Sequence, residues 1–161
     1  MGDDVQPMDA EPGETAPAAA HLGDSLAQRE AELLMVAAVA KEIGVALAKK
    51  RLTLGGGSRP EVDGVSEDET VLVEAFAHQG KIVGGQIRKV SEDAFKLVTL
   101  ARGNSGIRLI LAFADDETAR SFLGKSWRAE ALKIWGVEVL VVQLDDDVRA
   151  GIRDAQVRQF R

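Results

Sequence analysis

The amino-acid sequence predicts an α/β protein with a single mixed central sheet flanked by helices. Three observations lead there. Segments with apolar residues at helical spacing alternate with short apolar runs in the order α, β, β, β, α, β, α, β, α, a pattern that layers helices on one sheet. Two of those runs, IRLILAFA (107–114) and VEVLVVQ (137–143), are continuously apolar, as in strands covered on both faces. At 161 residues and 45% apolar content, the chain is long enough for one compact core and too short for two large ones.

The elements follow in chain order. Residues 1–23 are rich in Pro, Ala, Gly and acids and carry almost no large apolar side chains, so they cannot offset the entropy of ordering and read as a disordered acidic tail. The α/β domain then occupies 24–161. Asp24 is the expected N-cap of a helix over 25–51, with Leu33, Val36, Ala40, Ile43 and Leu47 at spacings of three and four; Glu32 borders that stripe. Gly55, Gly56 and Gly57 follow a helix and lead into strands. That is the wrong order for a phosphate-binding loop, so a tight turn is expected. Strands are expected at 51–54, 60–65 and 70–77, the last two joined by the polar SEDE turn. A helix over 85–101, the strand 107–114, a helical segment to 133 broken near Gly124, the strand 137–143 and a terminal helix complete the order. That last helix is acidic at its start and Arg-rich at its end, as the helix dipole favours.

Charge and composition exclude several classes. The chain has no cysteine, so disulfide frameworks and thiolate metal sites are ruled out. Six of its 26 acids lie in the first 24 residues, which hold no Lys or Arg, leaving 20 acids against 20 bases in the body. A near-neutral body lacks the broad basic footprint of a protein that holds nucleic acid by charge alone, whereas the acidic tail suits a basic partner. No apolar run approaches a membrane span and the N-terminus lacks the plan of a signal peptide, so a cytoplasmic protein with no membrane contact is expected.

The segment EVDGVSEDETVLVEAFAHQGK (61–81) departs from ordinary core. With its turn near 66–69, period-two alternation puts Glu61, Asp63 and Glu74 on one face of the hairpin with Leu72 and Phe76, and Val71, Val73 and Ala75 on the other. Clustered carboxylates on a central strand destabilise a fold unless one is protonated, paired with a base or bound to a cation. Oxygen ligands alone favour Mg2+ or Mn2+ over zinc. In the next helix Gln86, Lys89, Asp93 and Lys96 form a polar line opposite the apolar Ile87, Val90, Ala94, Val98 and Ala101. Gln86 and Lys89 lie within reach of the end of the carboxylate strand. A solvated helix face, with Lys89 paired to Asp93, is the plainer meaning of the same line.

The order α-β-β-β-α-β, with an acid in EVDG, a second in VLVEA and a Gln/Lys helix next, resembles the core of the PD-(D/E)XK nuclease superfamily, the restriction-endonuclease-like fold, over residues 24–114; the rest would be a C-terminal α-β-α extension. The longer phrase through GGQIRKVSEDAFKL is similar to uncharacterised bacterial and phage proteins with that core. The resemblance implies Mg2+ (or Mn2+) held by Asp63, Glu74 and the Ala75 carbonyl, with an acid of the first helix, best Glu32, added to the site. It implies DNA as the substrate and Mg2+-dependent phosphodiester hydrolysis, with Lys89 and Gln86 as helpers and, since many nucleases with this core act as dimers, a homodimer. One departure matters. The lysine expected two residues after the second acid is replaced by Phe76, so Lys81 or, better, Lys89 would have to supply it; otherwise the chain is a non-catalytic module binding nucleic acid or protein.

The remaining features carry less. His78 is a candidate proton shuttle but more often such a residue is a structural hydrogen-bonder. Trp127 and Trp135, eight apart, are expected to pack on the sheet, although KSWR (125–128) places an aromatic between bases as nucleic-acid surfaces do. Lys49, Lys50 and Arg51 could contact phosphate or complement the end of the first helix.

Overall fold

A computed structural model describes residues 18–159, with side chains from residue 26 to 158. The elements run α1 (Ala18–Ile43), β1 (Leu47–Arg51), β2 (Glu61–Ser66), β3 (Val71–Phe76), α2 (Gly84–Leu100), β4 (Arg108–Phe113), α3 (Asp116–Leu123), α4 (Trp127–Ile134), β5 (Val137–Val141) and α5 (Asp146–Gln159). The strands form one five-stranded sheet in the order β1-β2-β3-β4-β5. β1, β2 and β3 are antiparallel neighbours, whereas β3, β4 and β5 run parallel, so the sheet is mixed as expected. The expected acidic tail lies mostly outside the described residues.

Each face of the sheet has its own core. Leu72 and Phe76 of β3 join Leu109, Leu111 and Phe113 of β4 under α2, α3 and α4; Val71, Val73 and Ala75 join Ile110, Ala112 and Ala114 under α1 and α5. The alternation read from 70–77 and the two-sided burial of 107–114 are both borne out. The α2 stripe holds as well, with Val90, Ala94 and Leu97 buried. Gly64 lets α1 lie close on β2, since a Cβ there would sit 3.0 Å from Cγ1 of Val36 and press that side chain back by a few tenths of an ångström.

Four expectations fail in instructive ways. The first helix does not run to residue 51. It ends at Ile43, where Gly44 takes φ 69°, the left-handed conformation that closes helices and favours glycine, and Leu47–Arg51 becomes β1. The strand expected at 51–54 is therefore displaced, and Asp24 is inside α1 rather than at its cap. The buried stripe of α1 is Ala31, Met35, Val36 and Val39, with Leu33 exposed. β5 is an edge strand, only partly covered, so its apolar run did not imply burial on both faces. The segment after β4 does break at Gly124, but the second helix is short and presents Ala129 and Leu132 to the core. Trp127 and Trp135 bracket it and remain 68% and 66% exposed, with the Arg128 guanidinium over the Trp127 ring. The three glycines 55–57 form a tight turn, closed by Gly57 N–H to Leu54 O and Leu54 N–H to Ser58 O. No described helix is long and apolar enough to cross a membrane.

Candidate functional site

The hairpin brings the two carboxylates together. Gly64 pairs with Val73 and Val65 with Leu72, and the regular pairing stops there; Asp63 and Glu74 are the next residues along the two strands, near enough that the charge of Asp63 acts on Glu74. There the ladder gives way to a side chain: Asp63 Oδ2 accepts the Ala75 N–H at 3.0 Å. The Ala75 side chain is buried on the opposite, α1 face. Glu74 is 3% exposed, a carboxyl inside the core of the central strand.

The polar line of α2 meets this pair. Lys96 Nζ stands 2.8 Å from Glu74 Oε1 and 3.6 Å from Asp93 Oδ1, and donates to the Glu61 carbonyl at 3.0 Å. The ammonium is thus the one described partner of the buried Glu74 Oε1. Lys89 Nζ bonds Asp93 Oδ2 at 3.0 Å and lies 5.6 Å from the centre of the Phe76 ring. Lys89 thus reaches over the very side chain that replaces the expected strand lysine, whereas Lys96 makes the direct contact with Glu74. From β1, Lys49 reaches Asp63 at 3.7 Å and Glu61 at 3.4 Å.

Electrostatics mark the cluster as one unit. Burial, then the neighbouring charge of Asp63, pushes the Glu74 carboxyl from 4.5 up to about 8, against the pull of Lys96. Glu32 on α1 is raised by burial first and by Asp63 next, while Lys89 and Lys49 draw it down, so the α1 acid does belong to the same field. Burial alone would depress Lys89, but Asp93, Glu32 and Asp63 outweigh it and raise its pKa. Acids from α1, β2, β3 and α2 and lysines from β1 and α2 therefore share one partly dry compartment.

The other expected residues lie apart from it. Gln86 is committed to the start of α2: its Oε1 accepts the Val83 N–H at 2.8 Å and its Nε2 faces His78 Nδ1 at 3.3 Å. His78 also faces the Lys81 carbonyl, stacks on Phe76 with ring centres 5.8 Å apart, and has its pKa lowered by burial, the profile of a neutral hydrogen-bonding imidazole. Lys81 is exposed in the loop after β3. Glu61 points to Lys49 and Arg51 at the exposed edge, and Lys50 pairs with Glu69, so the basic run of β1 is occupied by neighbouring acids. Sequence reasoning weighed Lys96 only as a surface charge. The signal for its role was present: it falls on the same helical line as Lys89 and Asp93, and α2 returns antiparallel over β3.

Whether the residues suit a divalent ion can be tested on their chemistry. Among the described residues no three carboxylate or imidazole side chains gather at metal-binding spacing. Asp63 and Glu74 sit on adjacent strands, close enough for the charge of one to act on the other, and Glu74 Oε1 is buried beside Lys96. Mg2+ takes one or two carboxylates, keeps several waters and leaves room for substrate phosphate, so the donor set fits that ion and not a Ca2+ cage. No protein-family model, curated protein or solved structure matches the chain.

Proposed function

We propose that the chain is a metal-dependent phosphodiesterase acting on DNA, with a site of PD-(D/E)XK type. The observation that carries this reading is the cross-strand pair Asp63 and Glu74, set beside Lys96 and Lys89 of the following helix and coupled to Glu32 of the first. When bound, Mg2+ (or Mn2+) supplies polarisation of the scissile phosphate and a water of lowered pKa. Asp63 and Glu74 hold that ion. Glu74 must first give up the proton that burial keeps on it, and Asp63 is already oriented by its bond to Ala75. With an ion bound at Glu74, Lys96 would place positive charge where a phosphate gathers negative charge in the transition state, and Lys89 would do the same from about two turns earlier on α2. Asp93, bonded to both lysines, holds them in line.

A second reading has its own support. Phe76 occupies the position of the strand lysine, and Lys96 already stands against Glu74, an arrangement that also suits a binding module which kept the fold and lost the chemistry. A metal-dependent nicking assay separates the two. The wild-type chain nicks supercoiled DNA with Mg2+ or Mn2+, and Glu74→Ala lowers the rate by about 10²-fold. DNA binding without cleavage by the wild type favours the second reading, and equal nicking by both chains removes Glu74 from the chemistry.

A further inference from the structure

At the carboxyl ends of β3 and β4 a cleft of about 430 Å3 opens between the loop after β3, the start of α2 and the C-terminal helix α5. Two cationic side chains, Lys81 and Arg153, line it beside the His78 imidazole, and no carboxylate does. Among the described residues neither Lys81 nor Arg153 has an acidic partner. Two acids stand beside the loop: Asp115 is engaged, accepting the N–H groups of Gly80 and Thr118 at 3.0 and 3.1 Å and facing the Arg149 guanidinium at 3.4 Å, and Glu117 Oε2 lies 4.0 Å from the place a Cβ would take on Gly80.

The floor is built rather than loose. Buried Gln79 exchanges bonds with Gln156 of α5, its N–H to Oε1 at 2.8 Å and its carbonyl from Nε2 at 3.1 Å. Thr118 Oγ1 donates to the Gly80 carbonyl at 2.7 Å. The loop that carries His78 and Lys81 is thus fixed to both α3 and α5. The cleft also adjoins the carboxylate site through one side chain, because the Phe76 ring stacks with His78 and receives Lys89.

We propose that this cleft is a phosphate subsite, in which Lys81 and Arg153 hold a backbone phosphate of the same DNA strand whose scissile phosphodiester lies at Asp63 and Glu74. A preformed concave surface with cations unmatched by acids complements a phosphodiester, and its place beside Phe76 continues the path of a strand leaving the carboxylates. The inference extends the nuclease reading, but its test is independent of cleavage. Binding of a short DNA strand and of inorganic pyrophosphate is measured by calorimetry in EDTA, with the His78 imidazole followed by NMR. The strand binds, shifts the His78 resonances, and binds at least about tenfold more weakly to Lys81→Ala/Arg153→Ala, with a shallower salt dependence, because phosphate contacts release counterions. Strand binding of this pattern from a chain that cuts nothing upholds the subsite while the nuclease reading falls. Unchanged affinity in the double variant, a silent His78, or binding of pyrophosphate but not of the strand overturns the proposal.

Discussion

Glu74→Gln is expected to make the protein more stable above about pH 8, by about 2 to 4 kcal/mol, and to change it little at about pH 5. The sign follows from linkage. Glu74 has its folded pKa raised from 4.5 to about 8, chiefly by burial and then by Asp63. Through the window between those values the folded state holds a proton that the unfolded state has lost, so the group's contribution is full below 4.5 and is lost as pH rises through about 8. A neutral amide of the same shape removes that slope. Because the side chain is 3% exposed, solvent screening does little to soften the effect, and the pull of Lys96 is already contained in the value of about 8. Denaturant unfolding at several pH values reads it directly. Parallel wild-type and variant curves would mean that the carboxyl is ionised throughout and held by Lys96 alone.

The second large effect concerns which lysine replaces the one missing from β3. Lys96→Met is expected to lower metal-dependent cleavage by about 10²-fold, and Lys89→Met by less, because Lys96 alone touches Glu74, at 2.8 Å, whereas Lys89 is directed to Asp93 and the Phe76 ring. The substitution also leaves Glu74 buried without its ammonium, so the Lys96→Met protein loses stability more steeply than the wild type as pH rises through about 8. Both readouts come from one variant: nicking kinetics, and unfolding across pH. A Lys89 variant with the greater loss of cleavage would reverse the assignment.

Much of this architecture was legible in the chain. The faces of β3 follow from strict alternation in VLVEAF, and a turn at 66–69 is enough to make Asp63 and Glu74 the residues just beyond the Gly64–Val73 pair. The central position of β4 follows from its unbroken apolar run. The boundary between α1 and β1 was hidden because LAKKR suits the end of a helix as well as an edge strand; the decisive residue was Gly44. Trp127 and Trp135 misled because spacing fixes a face only while a helix lasts, and α4 ends between them at Ile134. β5 misled because an apolar run cannot reveal whether another strand lies beyond it.

At the site, the residue types were readable and their partners were not. The line Lys89, Asp93, Lys96 was visible at helical pitch, but which lysine meets Glu74 depends on where α2 crosses β3, a tertiary fact. Gln86 illustrates the opposite error. Its position three residues after Val83 is the place from which a side chain closes back on a helix start, and it does so here rather than facing the carboxylates.

The account depends on Asp63 and Glu74 taking a divalent cation in common, and calorimetric titration with Mn2+ in buffers of different ionisation heat tests that most directly. The expected result is one ion bound per chain, more tightly as pH rises toward about 8, with close to one proton released at neutral pH as Glu74 ionises, and with binding lost in Glu74→Gln and Asp63→Asn. Binding that releases no proton and survives both substitutions, or no binding by the wild-type chain at any pH, would contradict it.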